Sequence, residues 1–372
     1  MANPWAVPYF NWFAERAQFD PDIKLSFVCL YTSPTNMISE VNKRGCDGYW
    51  VYFDTQRRAR SMWKAFWKLR KLYRIVKPDI VHTHLFDDGF PGMLAAWSMG
   101  IKVRIHTKQS TGYHWYHAPS KVKYDRLLDR AATHLIAVSE EGKEFLIEKE
   151  KAPAKKISLI HHGIDFSELT TATPEQVEQV KQTYGLEGKK VIITIARYIE
   201  WKGYRYLIEA AETLSKEFPD LVFLGLGRGE QEHELNQLIA DRGLKGKFIL
   251  TGWIDKALIP AFLQTADIYA HAAHMEPFGF VIPEAMLNRI PVVSTPTGSA
   301  RDAITHLVSG YICEYLSPKS LEEGIRYMLT HDTTAITENA YKKVISLYSA
   351  DLMFNNYLNL YKSAAKKARI SP

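Results

Sequence analysis

The chain has 372 residues, 46% of them hydrophobic and 24% charged, with a formal net charge of +6. That length exceeds one ordinary domain and fits two of roughly 150–200 residues. Three scattered cysteines (Cys29, Cys46 and Cys313) argue against a disulfide scaffold or a cysteine-based zinc site, and no apolar run reaches the roughly 18–20 residues of a membrane span.

No signal peptide is evident, so a cytoplasmic location is expected, with room for peripheral contact at the inner face of a membrane. The charge is uneven. Residues 1–165 hold 25 Lys/Arg against 17 Asp/Glu, whereas the remainder holds 22 against 24. An anionic partner is therefore expected to meet the first half.

In chain order, the first long element is a basic helix around Arg57–Lys77, with nine Lys/Arg and no acid over residues 56–77. At helical spacing Met62, Phe66, Leu69, Tyr73 and Val76 form one apolar stripe, the predicted core face. Trp63 and Trp67 fall off that stripe and share their face with Arg70 and Arg74. Tryptophan beside arginine suits an anionic membrane headgroup region; the alternative is packing on a neighbouring loop. No dedicated nucleic-acid readout motif is present, and no nucleic-acid partner is expected.

Predicted strands follow at Ile80-Val81, Lys102 to Ile105, His134 to Val138 and Ile157 to Ile160. A second series comprises Val191 to Ile195, Leu221 to Leu224, Phe248 to Leu250, Ile268 to Ala270 and Pro291 to Ser294. Helical patterns separate them, so the expected class is α/β with two doubly wound, Rossmann-like domains. The boundaries fall at 1–165 and 166–344, and a helical tail spans roughly Ile336 to Ala368. Its part from about 345 to 372 is free to pack back on the first domain. Ligands of such sheets bind beyond the carboxyl ends of the strands.

Several loops there carry chemistry. Arg197 and Lys202 lie five residues apart on a strand-to-helix loop, where both can reach one phosphate group; ordinary surface charges are the alternative. Gly225-Leu226-Gly227-Arg228-Gly229 has the wrong spacing for a dinucleotide fingerprint and reads better as close backbone approach. Glu276-Pro277-Phe278-Gly279-Phe280-Val281-Ile282-Pro283-Glu284 sets two carboxylates around a glycine turn that opens a helix. Free N–H groups there favour a phosphate, and Glu284 can accept from sugar hydroxyls. Pro296 to Ala300 offers a further backbone approach.

Histidines invite a metal reading at His82-x-His84, His114-x-x-His117 and His161-His162, but none combines zinc spacing with suitable partners, so no metal is expected. Asp87-Asp88 reads as two solvated acids on a loop.

With those residues in place, the second half resembles the nucleotide-sugar domain of the retaining family-4 glycosyltransferases of GT-B architecture, of the bacterial glycan-assembly type. The matching pieces are Ala196-Arg197, Trp201-Lys202-Gly203, Gly225-Leu226-Gly227, Thr251-Gly252-Trp253, Ala266-Asp267, Glu276 to Met286, Ile290 to Val293 and Gly310-Tyr311. The first half matches more loosely, through Lys77 to His84, Asp129 to Ser139 and Ile160 to Asp165.

The resemblance implies two domains facing a cleft, which closes to exclude water, and transfer of a hexose-type sugar from a nucleoside diphosphate sugar to a glycan or lipid-linked acceptor. No metal or other cofactor is implied. Arg197 and Lys202 would meet the leaving diphosphate, helped by N–H groups around Gly279, Phe280 and Val281. Glu276 would orient the sugar, Glu284 would hold the ribose, and Gly227, Trp253 and Ile254 would border the nucleotide. The family's usual histidine after the strand at Lys102 to Ile105 is replaced by Gln109, with His106 nearby. This region is expected to line the reaction centre. The chain opens Met1-Ala2-Asn3-Pro4-Trp5-Ala6-Val7-Pro8 without the family's glycine-rich loop, so its first strand is expected to be shortened or missing. Alternatives are a hydrolase or epimerase on the same architecture, or a silent scaffold binding an anionic lipid or nucleic acid.

Overall fold

The computed structural model describes residues 9–368 except 19, 21, 110–111 and 169–170. The chain forms two units, Met1–Phe166 with Ser349–Pro372, and Ser167–Tyr348.

In the first unit, α1 (Tyr9–Ala17) leads to β1 (Ser26–Tyr31), α2 (Asn36–Lys43), β2 (Asp47–Tyr52), α3 (Arg58–Val76) and β3 (Ile80–Thr83). There follow α4 (Phe86–Ser98), β4 (Val103–Lys108), α5 (Tyr113–His117), α6 (Val122–Ala131), β5 (His134–Ala137), α7 (Glu140–Glu148) and β6 (Ile157–Leu159). All pairings are parallel, but they form two sheets. β1 pairs with β2, and the order β3-β4-β5-β6 makes a separate four-stranded sheet.

The opening segment Met1–Pro8 lies outside the described residues. β1 and β2 were not among the predicted strands. β2 reads Asp-Gly-Tyr-Trp-Val-Tyr with only Val51 fully buried, so its apolar signal is weak and its first two residues are strand-poor.

In the second unit, α8 (Pro174–Tyr184) begins with a Thr173 cap that accepts from the Gln176 N–H at 3.3 Å. Next come β7 (Lys190–Ile195), α9 (Tyr204–Glu217), β8 (Leu221–Leu226), α10 (Glu232–Asp241), β9 (Phe248–Gly252), α11 (Ile259–Thr265) and β10 (Ile268–His271). The unit continues through α12 (Val281–Leu287), β11 (Val292–Ser294), α13 (Gly298–Ala303), β12 (Tyr311–Ile312), α14 (Pro318–Thr330) and α15 (Thr334–Leu347). The parallel sheet has the order β12-β11-β10-β7-β8-β9. Its strands are nearly continuous buried runs, as expected of a sheet covered on both faces. Strand order reverses between β7 and β10, which makes their carboxyl ends the expected ligand crevice.

The tail is not one helix. Ser349 interrupts it, its hydroxyl accepting from the Leu352 N–H at 3.0 Å to start α16 (Ala350–Lys367). Thus α15 belongs to the second unit and α16 to the first, where Arg16 pairs with Asp351 at 2.6 Å and Lys362 with Asp20 at 2.9 Å. Mixed polarity concealed the break at Ser349, although the stretch from about 345 onward reads as free to pack on the first domain.

The core stripe of α3 is Ser61, Ala65, Leu69 and Tyr73, flanked by half-buried Met62, Phe66, Leu72 and Val76. It is rotated from the predicted stripe toward the small buried residues Ser61 and Ala65. Asp87 and Asp88 correct another expectation. They form the first turn of α4, with Asp87 paired to Arg58 at 3.0 Å and Asp88 accepting from the His84 and Leu85 N–H groups at 3.0 and 2.8 Å. Burial raises the Asp88 carboxyl to about 6.

Candidate functional site

The second unit gathers most of the expected residues at the carboxyl ends of β7 and β10. After β7 the chain makes a single turn at Glu200–Lys202, then passes Gly203 (φ 71°) into α9. A side chain at Gly203 would bring Cβ within 2.1 Å of the Ala272 carbonyl, so only glycine lets this turn lie against the end of β10. The His274 N–H donates to the Trp201 carbonyl at 3.0 Å and ties the two loops together. That contact seats the Lys202 ammonium on the Glu276 carboxylate.

Both members of this pair are largely covered, with side chains 10% and 15% exposed. Removing one partner would leave a desolvated charge, costing about 3–5 kcal/mol when such a pair is buried. His271, at the end of β10, is buried with Nε2 3.7 Å from Glu276 Oε2. Burial pushes its imidazole down to about 4, with the nearby Lys202 adding to that and Glu276 opposing it. It is therefore neutral near pH 7, and the net charge of the trio comes from Lys202 and Glu276 alone. Sequence reasoning missed His271. Its signal, a histidine ending an otherwise apolar strand, was absorbed into the strand.

Arg197 is exposed on the same loop and forms no ion pair among the described residues. Gly279 adopts φ 79° and packs on the Glu276 side chain, where an added Cβ would stand 2.8 Å from Cγ. The turn then enters α12 through Phe280 and Val281, both half-buried. α12 has only seven residues, so its dipole contribution is small and the cations dominate any anion grip.

Glu284 is half-buried in the first turn of α12, and burial raises its carboxyl from 4.5 to about 7, partly opposed by Lys256. Trp253, just beyond β9, is 61% exposed and Ile254 is half-buried. Gly227 sits against protein backbone: an added Cβ would fall 1.9 Å from the Ala196 carbonyl, and its N–H donates to the Gly252 carbonyl at 3.0 Å. Close approach is thus its role, and it braces the Arg197 loop. The turn at Pro296 to Ala300 likewise packs on protein, with the Ser299 N–H donating to the Phe278 carbonyl at 2.6 Å. Beside it Thr297 Oγ1 is buried without a hydrogen-bond partner.

In the first unit, His106 and Gln109 separate. His106 is 2% exposed, and its Nδ1 lies 2.8 Å from Thr83 Oγ1. Burial drives its imidazole well below the ordinary value. The structure makes it a core residue of β4 instead of a lining one, because its side chain packs toward Gly89 of α4. Gln109 follows the end of β4 and is half-buried. Between them Lys108 is buried, 3.1 Å from Asp129 and 2.8 Å from Glu150. Its two acids raise its pKa despite burial, while burial raises Asp129 to about 8.

His82 is held between Tyr361 at 2.7 Å and Thr107 at 2.8 Å. Among the described residues no group of three or more His, Cys, Asp or Glu is arranged to hold a metal ion, and no helix is long and apolar enough to cross a membrane.

Residues 176–343 match the family described as Glycosyl transferases group 1, and residues 25–168 match Glycosyltransferase Family 4. The 2-deoxystreptamine N-acetyl-D-glucosaminyltransferase of Niallia circulans is 27% identical over 48% of this chain and 46% of its own length. The UDP-Gal:alpha-D-GlcNAc-diphosphoundecaprenol alpha-1,3-galactosyltransferase of Escherichia coli is 28% identical over 68% of this chain and 66% of its own. The chain thus spans about half to two thirds of these relatives. Among solved structures, Anabaena Alr3699/HepE in complex with UDP-glucose superposes with a TM-score of 0.78 at 20% identity, over 95% of each chain. At that identity the likeness establishes the fold.

Proposed function

Because this chain belongs to the family-4 glycosyltransferases of GT-B architecture, we propose that it moves a hexose-type sugar from a nucleoside diphosphate sugar to a glycan or lipid-linked acceptor, with retention of anomeric configuration. The observation that carries this reading is the Lys202–Glu276 pair at the carboxyl ends of two adjacent parallel strands.

Such a pair is a site waiting for a ligand with an anionic part and a hydroxylated part. A donor would give Lys202 a diphosphate oxygen in place of the carboxylate, and would give Glu276 sugar hydroxyls in place of the ammonium. Charge grows on the diphosphate as the sugar departs, so Lys202 and exposed Arg197 would bind the transition state more tightly than the ground state. N–H groups at Gly279 and Val281 would add to the grip. Glu284 would accept from ribose hydroxyls, and Trp253 with Ile254 would border the base. The chemistry asks for no metal or other cofactor, since side-chain cations neutralise the leaving group.

The relatives support this reading. One bears the name of a transferase using UDP-Gal on a diphosphoundecaprenol-linked sugar, and HepE binds UDP-glucose. A lipid-linked acceptor would also explain the surface of α3, where Trp63 is 64% and Trp67 51% exposed among solvated lysines and arginines. On this reading α3 rests on the anionic inner face of a membrane.

Lys202→Ala tests the proposal. Turnover of a nucleoside diphosphate sugar with acceptor is expected to fall by about 10²–10³, the scale of losing one main transition-state contact. Parental turnover would refute the role of the pair. Product formed without acceptor would indicate a hydrolase instead.

A further inference from the structure

His271 ends β10 with its main chain fixed. It pairs with Ser294 of β11, and its carbonyl accepts from the Thr295 N–H at 3.0 Å. The side chain is only 3% exposed. On one side Nδ1 lies 3.4 Å from the Tyr269 hydroxyl. On the other, Nε2 is buried without a hydrogen-bond partner among the described residues and stands 3.7 Å from Glu276 Oε2. Leaving a buried nitrogen unpaired is costly, and few folded proteins do so without a functional reason.

The tautomer follows from the two neighbours. Tyr269 is fully buried, and its O–H needs an acceptor, which Nδ1 supplies. A ring nitrogen that accepts leaves the proton on the other one. Nε2–H therefore faces the carboxylate, where a bare lone pair would be repelled. The ring is also neutral, since burial pushes it down to about 4. His271 thus offers Glu276 an N–H without adding a cation to the site.

Distance sets the timing. At 3.7 Å the N–H is just outside hydrogen-bond reach, while the same Oε2 takes the Lys202 ammonium. A shift of about 0.8 Å would bring it to an ordinary bond length. Glu276 needs that N–H only once Lys202 departs. Its side chain is 15% exposed, so a carboxylate stripped of its cation there is poorly solvated.

We propose that His271 is a positioning residue that takes over the Glu276 carboxylate through Nε2–H when a nucleoside diphosphate draws Lys202 away. The inference rests on the proposed nucleotide-sugar reading of this site. With the second partner in place, the acid stays charged and aimed at the sugar while Lys202 is released to the phosphates. An apolar side chain of similar size at this position would fill the space and supply no N–H.

Calorimetry with UDP and GDP on a double-mutant cycle tests this. His271→Leu should weaken binding of whichever nucleotide the parent takes at least about fivefold, within the range of coupling between neighbouring residues. In a Glu276→Gln background the same change should cost no more than about twofold, because no charge is left to support. His271→Gln, whose amide N–H can replace Nε2–H, should stay within about twofold of the parent. Heteronuclear NMR spectra of the parent, assigned by the ring signal absent from His271→Gln, add a readout that packing alone would not move. The ring should carry its proton on Nε2, and that proton should shift downfield as nucleotide binds. Equal losses in both backgrounds would mean packing alone and overturn the proposal. So would unchanged affinity in His271→Leu, a His271→Gln protein as weak as His271→Leu, an Nδ1–H tautomer, or an Nε2–H signal indifferent to bound nucleotide. A parent that binds neither UDP nor GDP would instead overturn the nucleotide-sugar reading, and the inference would fall with it.

Discussion

His271 Nε2 stands 3.7 Å from Glu276 Oε2, and the same carboxylate oxygen takes the ammonium of Lys202. One acid thus has a neutral imidazole on one side and a cation on the other. On the proposed reading, the cation belongs to the leaving diphosphate and the acid to the sugar.

That division predicts different behaviour for the two members. Glu276→Gln should lower turnover while leaving UDP affinity within about twofold, since its partner is the sugar. Lys202→Ala should weaken UDP by tenfold or more, about 1.4 kcal/mol. Calorimetry with UDP checks both, and equal losses in the two variants would count against the assignment.

Glu284 gives a pH prediction. Folded, it keeps its proton until about pH 7; unfolded, it loses it near 4.5. Between these values the folded state binds more protons, so this group's contribution to stability falls as pH rises through that window. Glu284→Gln should remove that contribution. Urea midpoints measured at about pH 5 and about pH 7.5 should then fall less with rising pH in the variant than in the parent. Parallel profiles would show that the site does not desolvate the carboxyl. The proposed ribose contact adds that UDP affinity should weaken as pH drops below about 7, and Glu284→Gln should lose that dependence.

In the interior of the first unit Lys108 lies 3.1 Å from Asp129, whose carboxyl burial raises to about 8, and 2.8 Å from the charged Glu150. Lys108→Met should cost about 3–5 kcal/mol, because the buried Glu150 charge is left without its cation. The triple replacement Lys108→Met/Asp129→Leu/Glu150→Leu should recover much of that loss. Chemical denaturation of the three proteins decides it. A single variant as stable as the parent would mean that the acids protonate without penalty.

Trp63→Ala/Trp67→Ala should reduce binding to anionic vesicles at least about tenfold while leaving the unfolding temperature within a few degrees, as both side chains are exposed. Arg70 lies over the Trp67 ring at 5.5 Å and donates to Ser98 Oγ at 2.6 Å, so it holds that face in place. Equal sedimentation of parent and variant with the vesicles would remove the membrane role.

The loops of the candidate site in the second unit were legible because each joins a β-branched run to a helix and so declares its position at a strand end. Arg197, Lys202, Glu276 and Glu284 needed no tertiary information to be noticed. His106 was misread as a lining residue because alternation along β4 does not say which face meets α4. β1 and β2 escaped notice where aspartate, glycine and exposed aromatics dilute the strand pattern.

Sequence alone determined the parallel α/β character of both halves, the place of Trp63 and Trp67 off the apolar stripe of α3, and the strand-end position of the loops that carry Arg197, Lys202, Glu276 and Glu284. These follow from local periodicity and from which residue types can end a strand. Tertiary structure decided the rest. Lys202 meets Glu276 across 74 residues because β7 and β10 are neighbours, an adjacency set by strand order. It likewise returned α16 to the first unit, buried His106 and left the first sheet in two pieces. Each depends on contacts between segments far apart in the chain, which no local pattern encodes.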